Sequence, residues 1–188
     1  PRINQMEYSD LVYFLQHVGK DPSRLIFEDE LTGIYNRRHF DERLVQEFKR
    51  HSRKDQYFSL VLMDIDNYKE INDTYGHLSG DIVLQEMAKF LRLALREQDI
   101  VARYGGDEFA VILPETGKDG AVTVLSRIAQ DISRRPFPGA AGETVPKVTV
   151  SAGVSSYPVD GLTPEELVSR ADEALYRAKK GGRDQVCG

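Results

Sequence analysis

From Glu28 to the C-terminus the apolar residues alternate between a helical and a strand period, and this alternation limits the fold more than any other feature. NRRHFDERLVQEFKRHSRK (36–54) carries Phe40, Leu44 and Phe48 at i, i+4 and i+8, one face of an amphipathic helix. QYFSLVLMDID (56–66) is a β-rich apolar run and predicts a strand near 57–65. GDIVLQEMAKFLRLALRE (80–97) returns to helical spacing through Leu84, Met87, Leu91 and Leu95. DIVARYGGDEFAVILP (99–114) reads as two strands about a glycine turn, a hairpin. A third helix follows in DGAVTVLSRIAQDISRR (119–135), through Val122, Leu125, Ile128 and Ile132, and a strand in KVTVSAGVSSY (147–157). The last helix, in TPEELVSRADEALYRAKKGG (163–182), has Thr163 as N-cap, Pro164 in its first position and Glu166 to complete a capping box. Gly181 or Gly182 closes it. The order α-β-α-β-β-α-β-α contains β-α-β-β-α-β. The expected class is therefore α+β, a ferredoxin-like core with a central antiparallel sheet and additional helices. Such a unit packs its helices on one sheet face and leaves the other face, or the strand ends, for a ligand.

Residues 1–27 stand apart. Met6, Leu11, Val12, Phe14, Leu15 and Val18 are spaced as on a helix, closed by GKDPS. This predicts a linker helix from an upstream module, with the domain proper at 28–188. The 188 residues are 40% hydrophobic and 29% charged, enough for one core without disulfides. The only cysteine, Cys187, allows no intrachain bridge, which fits a reducing cytoplasm. No apolar run reaches the length of a membrane span and no signal peptide is visible, so a cytoplasmic domain is expected, whether or not a longer parent is membrane-anchored. A net charge of −5 argues against a surface for a nucleic-acid polymer. It leaves open anion binding through local lysines, backbone amides or a bridging metal.

Two groups of acids interrupt the apolar pattern. Asp64 and Asp66 end one strand, and alternation puts them on the same face with Ile65 between. Taken alone, that pair is most simply a solvated strand end. Asp107 and Glu108 follow Gly105 and Gly106 at the hairpin tip. In a β-α-β-β-α-β unit the first and third strands are neighbours, so the two groups meet at one end of the sheet. Like charges about 4 Å apart repel by about 4 kcal/mol at an effective dielectric near 20, unless a cation lies between them. Oxygen ligands suit Mg²⁺ or Mn²⁺, whose open positions phosphate oxygens fill. The residues thus point to a metal–nucleotide site, with one metal or two clamping a displacement at phosphorus.

RYGGDEF resembles the signature of the GGDEF family, the bacterial diguanylate cyclases. DELTGIYNRR, MDIDNYKEINDTYGHLSGD, VTVSAGV and ADEALYRAKKGGR are similar to its other blocks, in family order, over residues 28–186. The resemblance implies a nucleotidyl cyclase, palm-like core. It implies two GTP condensed to cyclic di-GMP with release of two pyrophosphates, across a homodimer in which each 3′-hydroxyl attacks the other nucleotide's α-phosphate. It implies two Mg²⁺ or Mn²⁺ per site, ligated by Asp64, the carbonyl of Ile65, and Asp107. It implies that Asp107 or Glu108 assists deprotonation of the 3′-hydroxyl, and Lys69 resembles the family lysine that steadies the phosphates. Asn72, His77 and Asp81 match the base and substrate contacts. Lys179 and Arg183, read as one helical turn apart, match the β/γ-phosphate binders. Arg96 and Asp99 form an RxxD that resembles the family's inhibitory product site, with Arg127 where a supporting arginine lies.

Tyr68 stands where phenylalanine is usual and Ile34 where leucine is common. The alternative from another class is a catalytically silent module that binds GTP or cyclic di-GMP for a partner. The presence of Asp64, Asp107, Glu108, Lys69 and Lys179 together favours the enzyme. An upstream sensory or regulatory domain is the expected source of control.

Overall fold

The computed structural model describes residues 26–54 and 56–188. The helix expected over the first 27 residues lies almost wholly outside them. A short strand β1 (Tyr35–Asn36) leads into helix α1 (Arg37–Lys54), and the long apolar run forms strand β2 (Phe58–Ile65). Two consecutive helices follow, α2 (Tyr68–Tyr75) and α3 (His77–Ala94). Then come the hairpin β3 (Ile100–Arg103) and β4 (Glu108–Pro114), and helix α4 (Lys118–Arg134). A small hairpin, β5 (Phe137–Pro138) and β6 (Thr144–Val145), precedes strand β7 (Val150–Tyr157), helix α5 (Pro164–Lys180) and strand β8 (Val186–Cys187). The main sheet runs β1-β3-β4-β2-β7-β8. β2 lies between β4 and β7, antiparallel to both, which is the ferredoxin-like order extended by an edge strand on each side.

Every residue of β2 is buried, because both sheet faces are covered. Val61, Met63 and Ile65 face a core shared with Leu84, Met87 and Leu91 of α3 and Leu125 and Ile128 of α4. Leu60 and Leu62 face a second core with Phe40 and Leu44 of α1 and Leu167 and Leu175 of α5. The expectation of an open sheet face is corrected here: the added first and last helices fill it. A ligand is therefore left the strand ends. The tightest approach is α5 on β7, where a Cβ on Gly153 would run into the carbonyl of Ala171 and the amide of Leu175. The serines of β7 complete this packing: Ser155 Oγ donates to Leu167 O at 2.7 Å.

Three local features depart from the pattern read in the sequence. Helix α2 was not expected; it is short, begins at a left-handed Asn67 with no side-chain cap, and ends at Gly76 with φ 82°. α3 begins three residues before Gly80 and stops at Ala94 rather than running to Glu97. Leu95 is extended, and the next residues close a turn in which Asp99 N–H donates to Arg96 O (3.0 Å) and Arg96 N–H to Asp99 Oδ2 (2.9 Å). The β5–β6 hairpin also lacked a periodic signal. It docks on α3 through Ser79 Oγ, which donates to Glu143 Oε1 at 2.6 Å. No described helix is long and apolar enough to cross a membrane.

Candidate functional site

Asp64 is the penultimate residue of β2 and pairs across the ladder with Glu108 of β4. The next amide, Ile65 N–H, donates to Asp107 O at 3.2 Å, so the hairpin tip and the β2 end share one backbone contact. Asp64 is only 8% exposed. Burial raises its pKa above the ordinary carboxylate value, and the charges of Asp107 and Glu108 push the same way. The opposing influence is Lys179 of α5, whose Nζ lies 2.8 Å from Asp64 Oδ2. Gly105 leaves the space that the Glu108 carboxylate fills, while a Cβ on Gly106 would meet nothing within 4 Å. Neither glycine has a positive φ, so their value here is room rather than a left-handed turn.

Asp66 has a different environment from Asp64. Its carboxylate accepts from Thr149 Oγ1 (2.8 Å), Ser151 Oγ (2.7 Å) and the amide of Asp184 (3.0 Å).

On the helix side, α2 leads with its orphan first amides and carries Lys69, exposed, in its first turn. Asn72 packs against Gly80, where a Cβ would collide with its Oδ1 and approach the Tyr68 hydroxyl at 2.9 Å. Asn72 Oδ1 is buried without a partner. Asp81 follows Gly80, and its charge reaches Tyr68, whose pKa is raised first by burial and then by Asp81. Asn72 and Asp81 are thus brought together over one small helix position. His77, the first residue of α3, is exposed.

Lys179 and Arg183 are not on one helix, which corrects the i, i+4 reading. α5 ends at Lys180, and Gly181 N–H donates back to Arg177 O at 2.8 Å. Gly182 (φ 113°), Arg183 (φ 64°) and Asp184 (φ 50°) then form a left-handed turn that redirects the chain. Arg183 comes to line a cleft with Asp66 and Asn67 at the β2–α2 connection.

An unexpected clamp fixes the hairpin. Arg103 donates to both Asp29 oxygens (3.1 and 3.2 Å) and to Gly106 O (2.7 Å). Asp29 in turn accepts from the amide (3.0 Å) and hydroxyl (2.7 Å) of Thr32. Burial works against ionised Asp29, but Thr32 and Arg103 outweigh it and hold the pKa low. The only sequence cue was an acid and a threonine three apart, far from the hairpin. An Arg103→Met variant should lose about 1 to 2 kcal/mol in urea unfolding, as a charged hydrogen-bonding group is removed from a partly buried carboxylate. Because the folded pKa of Asp29 is depressed, its contribution is complete above about pH 4 and lost as pH falls through the folded value. The Asp29→Asn deficit should therefore shrink on acidification; a deficit that grows would contradict the clamp.

Arg96 and Asp99 line a separate cavity of about 400 Å³ with Glu28, Gly33, Tyr35 and Arg92. Burial raises the pKa of Asp99, opposed by Arg96, and its Oδ1 is buried without a partner. Arg127 is exposed on α4 and does not line this cavity. Arg92, in the last turn of α3, joins Arg96 in this cavity across the end of the helix.

Among the described residues no three His, Cys, Asp or Glu side chains form a ready metal cluster. The donor set at the β2 end is still a fit for a hard divalent cation. It consists of carboxylates, with Asp107 and Glu108 close enough to act on Asp64, and burial together with like charge leaves Asp64 in need of a cation, which Lys179 partly supplies. Such a set is incomplete without further oxygens, as phosphates would provide.

Comparison with known proteins agrees with this arrangement. Residues 26–185 match the family described as diguanylate cyclase, GGDEF domain. The chain is 41% identical over 187 residues to the response regulator PleD of Caulobacter vibrioides, covering 100% of this chain and 40% of that protein. It is 42% identical over 186 residues to diguanylate cyclase DgcP of Pseudomonas aeruginosa, covering 98% of this chain and 27% of that protein. It therefore spans less than half the length of either relative. A solved structure of the coiled coil and GGDEF domain of DgcB from Caulobacter crescentus, in complex with c-di-GMP, superposes with a TM-score of 0.83. That match has 32% identity and covers 96% of this chain and 93% of the other. With the signature on the hairpin that meets Asp64, the palm-like α+β core and a family match over nearly all its described length, the chain belongs to the diguanylate cyclase GGDEF domain family.

Proposed function

We propose that this domain condenses two GTP into cyclic di-GMP and two pyrophosphates. The observation that carries the reading is the convergence of Asp64, Asp107 and Lys179 at the end of β2, with the hairpin tip hydrogen-bonded to Ile65. In each half-reaction a 3′-oxygen forms a bond to the α-phosphorus of the other nucleotide, the bond from that phosphorus to the bridging oxygen breaks, and pyrophosphate leaves. One site holds one GTP, so closing the ring takes two copies of the domain facing each other.

Asp64, the Ile65 carbonyl and Asp107 would hold Mg²⁺ or Mn²⁺, two per site. Bound there, the cation neutralises triphosphate charge and favours ionisation of the 3′-hydroxyl. Asp107 or Glu108 takes the proton of that hydroxyl. Asn72 and Asp81 read guanine: a carboxylate accepts from its N1–H and N2–H, a pair adenine lacks. His77, at the exposed start of α3, adds a substrate contact. Lys69 and the leading amides of α2 face the phosphates, where positive ends of helices favour anions. Lys179, now paired with Asp64, and Arg183 take the β- and γ-phosphates.

The cavity at Arg96 and Asp99 suits the product as an inhibitor. Arg96 has no ion-pair partner among the described residues, and its fork fits phosphate or a guanine edge. Arg127 supports that site only if bound product draws a second domain against α4. The upstream control is an attached sensory or regulatory module in the cytoplasm. PleD carries the name response regulator, and this chain covers 40% of it.

The test is to incubate the chain with GTP and Mg²⁺ and follow pyrophosphate and the cyclic dinucleotide. Turnover with GTP but not ATP is expected, with specific activity rising with protein concentration. Absence of turnover at high concentration, with GTP still bound, would favour the silent module. Arg96→Ala should raise the product concentration for half-inhibition about tenfold or more, the value of one charge-assisted hydrogen bond. Unchanged inhibition would remove the product site.

A further inference from the structure

Asp66 has no part in the chemistry above, yet it is 6% exposed and both its oxygens are hydrogen-bonded. One oxygen accepts from Ser151, the other from Thr149 and from the amide of Asp184, and its own amide donates to Thr149 O at 2.9 Å. These donors are all neutral, unlike Lys179 at Asp64. Three separate segments are joined at this side chain: the end of β2, the start of β7 and the turn after α5.

That turn is unusual. Arg183 and Asp184 both have positive φ, a region that non-glycine residues adopt only where the surroundings impose it. Two bonds impose it: Asp184 N–H to Asp66, and Arg183 N–H to Ala178 O at 3.1 Å. Ending a helix requires only the glycines. Holding two further residues left-handed brings Arg183 back to the cleft beside Asn67, at the start of α2, whose leading amides the cyclase reading assigns to the phosphates. We propose that Asp66 is a positioning residue for the β- and γ-phosphates: it fixes the left-handed turn that presents the guanidinium of Arg183. This rests on the cyclase reading, in which Arg183 binds phosphate. The other charged groups lining the cleft, Glu70, Lys147 and Asp184, are exposed and at most modulate this effect.

The test measures equilibrium binding of a non-hydrolysable GTP analogue and of GMP, each with Mg²⁺, to the chain and its variants. Asp66→Asn should weaken the triphosphate about tenfold, the value of one guanidinium–phosphate contact, and leave GMP unchanged. Thr149→Val, which removes one donor and keeps the volume, should weaken the triphosphate in the same sense but less. In an Arg183→Ala background, Asp66→Asn should add nothing. Equal losses for both nucleotides, no loss, or additive losses would overturn the proposal. Should Asp66→Asn fail to fold, the Thr149→Val comparison decides alone. Wild-type chain that binds neither nucleotide would instead sink the cyclase reading itself.

Discussion

Asp107→Ala should fold as the wild type does and release pyrophosphate from GTP on the order of a thousandfold more slowly, the loss typical when a pre-organised charge-stabilising group is removed. The two halves of this result separate because two parts of the residue act. The carbonyl of Asp107 accepts from Ile65 N–H and ties the hairpin to β2, and alanine keeps that bond. The side chain adds only negative charge beside a buried Asp64, so its removal relieves repulsion in the free protein. Thermal unfolding should therefore be unchanged or slightly raised while turnover collapses. Asp107→Asn, which keeps the shape without the charge, should lose as much. Near-normal turnover in either variant would mean that this carboxylate is not at the reacting phosphate.

Gly153→Ala should destabilise the domain by about 3 kcal/mol, near the top of the range for atoms inserted into a packed core. The added Cβ meets the backbone of α5 at Ala171 and Leu175, which cannot rotate away as a side chain can. Either β7 or α5 must shift. α5 carries Lys179, so displacement also separates the ammonium from Asp64, and turnover should fall with stability. The urea midpoint of the purified variant measures it; a midpoint equal to that of the wild type would show that α5 does not sit this close to β7.

The parts legible in the sequence are those with a strong local signal. β2 is a continuous apolar run, the signature hairpin has strands on both sides of its glycines, and α5 carries its own punctuation. Thr163 Oγ1 accepts from Glu166 N–H at 3.2 Å, though the Glu166 carboxylate reaches back to Leu162 N–H rather than to the N-cap amide. Neighbouring first and third strands follow from topology, and β2 does pair with β4. The remainder depends on tertiary contacts. α2 has no capping side chain and owes its helix to packing of Ile71 and partly buried Tyr68 and Tyr75 on the core. The two-residue edge strands β1 and β8 are too short for any period. The second sheet face looked open because the helices that close it, α1 and α5, lie outside the six-element unit. In the site, Asp64 and Asp66 looked equivalent by alternation. Their partners separate them: a lysine from α5 for one, neutral donors from β7 and the C-terminal turn for the other. Arg183 was placed on the helix because nothing in KKGGR shows which glycine ends it or that two more residues turn left-handed. The Asp29–Arg103 clamp joins residues 74 apart and has no local trace.

In the proposed reaction Asp64 and Asp107 hold a divalent cation together with the triphosphate. Mn²⁺ binding followed by electron paramagnetic resonance, with and without a non-hydrolysable GTP analogue, tests it most directly. Tight Mn²⁺ binding that requires the nucleotide, and that is lost in both Asp64→Ala and Asp107→Ala, is the predicted result. Mn²⁺ and nucleotide that bind independently, or that bind equally well to both variants, would contradict it.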